Sequence, residues 1–318
     1  MARSGAVTLA DIKKLGSRSQ FSKAVYVLRR WPVLPIFIIT TLIAGAVFAP
    51  FVAPNDPVRQ DLRARTSAPI WYPDCQEGET PYQTSCVAAK SKNTYILGAD
   101  ALGRGLLSSI IFGARVSLTL AAVAIVIGTV VGTALGLTAG YFGGIVDELI
   151  MRITDIATAI PYLLLALIIV VVFGQKFYVI VGVLALASWP GIVRLVRGQA
   201  LQLKTLDYVA PAKVAGASTH RILIKHILPG VTNTLVVATT LHVGSIILAE
   251  AILSFLGAGV PPPTPSWGSM ISDGRDYLGS AWWVAFFPGI AIVLTVPAFN
   301  FIGDWLRDRW DPKLRQIS

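Results

Sequence analysis

Long apolar runs separated by polar islands organise this chain. Residues 32–53 carry no charge and are long enough for one helical crossing of a bilayer. Further apolar runs follow at about 117–140, 156–173, 178–196, 232–256 and 281–302. The pattern predicts six membrane helices and an all-α fold. Pro161 stands near the start of the third run, and Trp189 and Pro190 lie inside the fourth. Prolines in membrane helices are tolerated where neighbours satisfy the freed carbonyl, and they mark bends. In the second run Gly128, Gly132, Gly136 and Gly140 recur every four residues. That spacing puts them on one helix face and lets another backbone approach closely, which reads as packing within a bundle.

Composition agrees with a membrane protein. Only 14% of the 318 residues are charged, against about 25% in soluble domains, and the mean hydropathy is +0.66. The formal charge of +10 therefore marks cytoplasmic loops rather than nucleic-acid affinity. Seven Lys or Arg face one acid in residues 1–30; this stretch is either a solvated tail or an amphipathic helix lying on the cytoplasmic membrane surface. It has no compact apolar core with a small-residue cleavage site, so no cleaved signal peptide is expected. The parse is a cytoplasmic segment at 1–31, a first membrane helix at 32–53 and an extracytoplasmic loop at 54–113. A core with five membrane helices follows at 114–304, then a cytoplasmic tail at 305–318. Both termini fall on the cytoplasmic side of the plasma membrane.

Little in the chain suggests self-contained chemistry. No GxxxxGK[ST] phosphate loop, HExxH or GxSxG occurs, and no His/Cys spacing suits a metal. Cys75 and Cys86 share the long outer loop, as a disulfide or as two free thiols. Among residues within the spans, His242, Glu250 and Asn300 are the pathway candidates. A carboxylate in lipid is costly and points to function by default, unless Glu250 lies near enough to the outer end to reach water or a neighbouring helix. No second carboxylate stands at comparable depth, which disfavours an ion-driven carrier.

The most informative island is 206–230, LDYVAPAKVAGASTHRILIKHILPG. Asp207 can cap a helix, Pro211 suits its first turn and Gly216 breaks it. From Ser218 the run is amphipathic, with Ile222, Leu223 and Ile227 against Arg221, Lys225 and His226, and Pro229 is expected to end it. Such a segment suits either a groove on a cytoplasmic partner or the membrane surface.

The pattern DYV-x-x-A-x-x-x-G with HILP at 226–229 resembles the cytoplasmic signature loop of ABC importer permeases. The resemblance implies a type I importer permease fold, in which a short coupling helix from this loop fits into an ATPase subunit. It implies coupling roles for Asp207, Tyr208, Ala210, Pro211, Ala212, Gly216, Ala217, Ser218, Arg221, His226, Ile227, Leu228 and Pro229. Ala210 stands where the family places glutamate, and Pro211 where it places the first alanine. LGADALGRGLLSSIIFGARVSL, AGYFGGIVDELIMRITDI, LSFLGAGVPPPTPSWGSMISDGR and FNFIGDWLRDRWDPKLR are similar to the dipeptide/oligopeptide group, specifically the second of its two permease subunits. Residues 71–92 look like an insertion in that pattern. The implied partners are a second permease, two ATP-binding subunits holding ATP and Mg, and an extracytoplasmic solute-binding protein. The implied substrate is a di- or oligopeptide; a nickel chelate, glutathione or an opine is the alternative, and a secondary carrier the reading from another class.

Overall fold

The computed structural model describes residues 32–72, 95–206 and 208–310. The basic N-terminal segment, Cys75, Cys86, Asp207 and the last eight residues lie outside the described residues. Everything described is helix or connection, apart from one isolated bridge between Ala99 and Gly105.

The first apolar run forms α1 (Val33–Val47) and, after a break at Phe48, the single turn α2 (Ala49–Val52). Its surface exposes Leu34, Phe37 and Val47 together with Thr40 and Thr41, while Ile39 and Ala46 turn inward. The second run is α3 (Leu106–Phe142), whose 37 residues span about 55 Å. It starts well before the expected 117, so the loop expected over 54–113 gives way to helix after Gly105. Arg115 suggests a polar lead-in, but the flanking LLSSIIF and VSLTL are helix-compatible. Ser108, Ser109 and Gly113 bury inside the molecule.

Gly143 and Gly144 reverse the chain at φ +68° and +53°, a conformation glycine adopts without a Cβ penalty. Then come α4 (Gly144–Ala159) and α5 (Tyr162–Phe173), bent by 84° to one another. The span expected over 156–173 is thus divided at Pro161 between α4 and α5, with the bend that its proline leads one to expect. Pro161 pushes the preceding residue out of the helical region, and Ile160 is extended at φ −85°, ψ 124°.

The remaining long helices are α6 (Phe177–Leu203), α9 (Leu228–Phe255) and α11 (Trp283–Trp310). Pro190 is accommodated inside α6, and Pro288 and Pro297 inside α11. Between α6 and α9 lie α7 (Ala210–Val214) and α8 (Thr219–Ile222). Pro229 does not end the amphipathic run. The segment Leu223–Ile227 is a π turn that joins α8 to α9, so Thr219–Phe255 is one continuous helix. A π turn redistributes backbone bonds where a proline N–H is missing. The outer segment after α9 also carries α10 (Trp267–Gly274), started by a Ser266/Ser269 capping box. α11 continues to Trp310, beyond the expected core boundary at 304.

Among the described residues four helices are thus long and apolar enough to cross a membrane, the α4–α5 pair makes a bent fifth, and α1 is a shorter apolar helix of 15 residues. The six expected apolar runs are all helical, but six full-length crossings are not resolved as such.

The core is built on α3 against α6. A Cβ added at Gly132 would stand 2.7 Å from the Ile192 Cβ, at Gly136 2.8 Å from the Val193 carbonyl, and at Gly140 2.7 Å from the Ala200 Cβ. These glycines form the seam expected from their spacing. Replacing Gly132 by valine is expected to destabilise the protein by about 1–3 kcal/mol through overpacking. Thermal unfolding in lipid nanodiscs checks this. Gly182→Ala, where an added Cβ meets nothing within 4 Å, is expected to melt like the native chain.

Candidate functional site

The connection from α6 to α9, expected on the cytoplasmic side, is a small built structure. Lys204, at the end of α6, donates from Nζ to the Gly140 carbonyl at 2.7 Å and so closes the C-terminal end of α3. Val209 is fully buried and pins the start of α7, joining Ile222, Ile227 and Val231 in a cluster with Leu137, Ile192, Val196 and Ala200. Pro211 sits in the first turn of α7, as expected, since its missing N–H has no partner there anyway. Gly216 has φ +76°, and the Ala217 amide donates to the Ala212 carbonyl at 3.0 Å across it. This is a Schellman closure, and it accounts for the glycine. Ser218 caps α8 in extended conformation without a side-chain bond. The Tyr208 hydroxyl donates to the His226 carbonyl at 3.3 Å, tying the start of the loop to the π turn.

What this fold leaves outside is equally definite. Tyr208, Ala210, Pro211, Gly216, Ser218, Arg221 and Pro229 are exposed, Ala212, Ala217 and His226 half-buried, and Val214 is 89% exposed. A five-residue helix anchored from below by Val209 therefore presents an apolar tip at Val214.

Next to this connection α4 is clamped to α6. Arg197 donates to both oxygens of Asp147, from Nε at 2.5 Å and from Nη2 at 2.7 Å. Two-point guanidinium–carboxylate pairing fixes orientation as well as distance. Arg194 adds bonds to Asp155 at 2.8 Å and to Thr158 at 3.0 Å. The sequence pattern does not reveal these pairs, because their members lie 36–50 residues apart.

The three intramembrane candidates go to different places. Glu250 is 1% exposed and is held by hydroxyls: Ser117 donates at 2.9 Å and Ser254 at 2.7 Å. Ser266 extends the chain to Ser254 at 3.3 Å. Glu250 thus reaches a neighbouring helix and joins α3, α9 and the outer segment. His242 faces α6 at Gly191, and Asn300 faces Gly244 of α9. They are not gathered into one cluster.

Just before the start of α3 Asp100 and Arg104 form a buried pair at 2.6 Å. Asp100 also accepts from the amides of Leu102 and Arg104. Asp273 lies 3.7 Å from Arg104. Burial pushes its carboxyl above the ordinary range, partly offset by the Arg104 guanidinium and reinforced by Asp100. The Trp267 indole donates to the Ile110 carbonyl at 3.0 Å, which docks α10 on α3. Among the described residues no group of three or more His, Cys, Asp or Glu could hold a metal ion.

A family model described as binding-protein-dependent transport system inner membrane component matches residues 128–316. A di/tripeptide transport system permease protein of Pseudomonas aeruginosa is 40% identical over 273 residues, covering 86% of this chain and 85% of that protein. A glutathione transport system permease protein of Escherichia coli is 46% identical over 218 residues, covering 69% and 72%. Among solved structures, an inward-facing MetNI methionine ABC transporter chain aligns with TM-score 0.51 at 22% identity, covering 66% of this chain and 96% of that one. That likeness is one of fold.

Two outcomes follow from the polar contacts. Glu250→Leu strands the Ser117 and Ser254 hydroxyls in a dry setting and is expected to destabilise by about 1–3 kcal/mol, whereas Glu250→Gln keeps an acceptor and should melt close to native. For Asp273, a folded-state pKa above the unfolded one means that its contribution is fully present below the ordinary value of 3.8 and lost as pH rises through the raised one. Asp273→Asn is therefore expected to gain in melting temperature relative to the native chain as pH rises to neutrality. The gain should vanish below pH 3.8.

Proposed function

The chain belongs to the family of binding-protein-dependent transport system inner membrane components, and on that premise we propose that it is one permease subunit of an ATP-driven importer of di- and oligopeptides. It is a multi-pass membrane protein. The di/tripeptide relative, similar over most of both chains, supports the substrate class. The relative named for glutathione supports a second substrate reading, and parallel uptake of a labelled dipeptide and of glutathione decides between them.

The observation that carries the mechanism is α7, closed at Gly216 and pinned at Val209. Because Val209 shares a cluster with residues of α3, α6 and the start of α9, a push on α7 is transmitted to three long helices at once. An ATP-binding subunit receiving Val214 and its surroundings would bias the bundle between two packings, a shift of population rather than a chemical step in this chain. ATP and Mg would sit on the two partner ATPases, a second permease would complete the pathway, and a solute-binding protein would deliver the peptide from outside. The excess of Lys and Arg in residues 1–30 and 197–230 supports cytoplasmic termini and a cytoplasmic α7.

Reconstitution with a second permease, two ATPases and the binding protein tests this. The native complex is expected to take up dipeptide only with ATP. Gly216→Ile places a β-branched residue at φ +76° and is expected to lower uptake roughly tenfold or more, since left-handed backbone strains such residues by more than 1 kcal/mol. Unchanged uptake by this variant, or uptake by the native complex without ATP, sinks the reading.

A further inference from the structure

A separate cavity lies away from the connection between α6 and α9. α3 carries one arginine within its helical stretch, Arg115, nine residues from its outer start, or about 13 Å along the axis. Ser117, two residues on, reaches Glu250, so Arg115 lies at nearly the same depth but on the opposite side of α3. Its side chain is exposed and lines a cavity of about 540 Å³ with Thr119, Ile43 of α1, Val243 of α9 and Phe299 of α11. The walls are otherwise aliphatic or aromatic. Among the described residues its guanidinium has no ion-pair or hydrogen-bond partner; the bond at this residue is from the Thr119 hydroxyl to the backbone carbonyl, at 2.6 Å. Glu250, the acid at that depth, is already occupied by Ser117 and Ser254.

An unpaired arginine on a membrane helix is costly and marks a pathway or a missing counter-charge. A mostly apolar cavity with one or two placed polar groups is the usual build of a small-molecule site, and this volume lies inside the usual range of roughly 300–1,000 Å³. Guanidinium matches carboxylate in a planar, two-point fashion, and low-dielectric walls strengthen the pair. A dipeptide offers one carboxylate and a short, largely apolar body.

We propose that this cavity is a station on the translocation path and that Arg115 receives the C-terminal carboxylate of the peptide there. The inference rests on the peptide-importer reading above. Thr119 keeps its acceptor lone pairs for a peptide N–H, while Ile43 and Phe299 flank the side chains without selecting among them. Arg115 is thus a substrate-contacting residue that sequence periodicity conceals, because it stands within one turn of a polar-looking outer loop.

The experiment uses the full complex in nanodiscs at saturating loaded binding protein, comparing the native chain with Arg115→Ala and Arg115→Lys. ATP hydrolysis, dipeptide uptake and co-purification of the second permease are measured together. Arg115→Ala is expected to hydrolyse ATP at the native rate but move roughly ten- to a hundredfold less peptide per ATP, the factor for losing hydrogen bonds to a charged group. Arg115→Lys, which keeps the charge without the planar fork, is expected in between. Native uptake by Arg115→Ala overturns the proposal and leaves the cation as a surface group. Loss of co-purification with the second permease overturns it too, because the counter-charge would then be an acid on that subunit. Absence of dipeptide uptake by the native complex instead overturns the importer reading itself.

Discussion

Helices in lipid do not associate through the hydrophobic effect, because lipid is as apolar as their side chains; close packing must hold them. The glycine seam of α3 supplies that packing here. With no side chain at Gly132, Gly136 and Gly140, the backbone of α6 comes near enough for Ile192, Val193 and Ala200 to fill the groove. Every inner feature depends on the approach. Lys204 can reach the Gly140 carbonyl only because the two helix ends converge. Arg197 can meet Asp147 only because α4 turns back from the end of α3 at two left-handed glycines. The fold of the inner connection is then determined: Val209 drops into the hollow beside Val196 and Ala200, and α7 has to face outward.

The outer end is held differently. There a polar hub replaces the small-residue seam, with Glu250 accepting hydroxyl bonds from α3 and from its own helix, and Ser254 linked on to the α10 cap. The Trp267 indole bonding Ile110, and the Asp100–Arg104 pair beneath Asp273, fasten the same segment to α3. α3 and α9 therefore connect the inner and outer surfaces as packed rods. A displacement of α7 has a mechanical route to the outer segment, along helices whose irregularities are confined to identifiable places. Those are Pro161 between α4 and α5, Pro190 in α6, the π turn before Pro229, and Pro288 and Pro297 in α11.

Membership of the transport family agrees with this division of labour. The braced apolar tip of α7 fits the proposal that another protein moves this chain. Its charged groups sort accordingly: ion pairs clamp α4 to α6, a carboxylate ties α9 to α3, and Arg115 is unpaired among the described residues, beside a cavity.

Much of this was legible in the one-dimensional pattern. Apolar runs announced the membrane helices, and the four-residue glycine spacing announced a close seam, because both depend on local periodicity. Pro211 and Gly216 could be placed correctly, since a proline in a first turn and a glycine at positive φ are demands of the backbone itself. Three matters were decided only by the tertiary structure. Pro161 splits a run that apolarity alone reads as one helix, while Pro229 fails to stop another because a π turn absorbs it; hydropathy does not register backbone hydrogen bonding. Glu250 was visible as an unusual carboxylate, but its partner Ser117 lies 133 residues away, beyond any periodic signal. Arg115 stands just before the apolar run expected at 117–140, and only the packing of α1, α3, α9 and α11 around it shows a cation facing an apolar cavity.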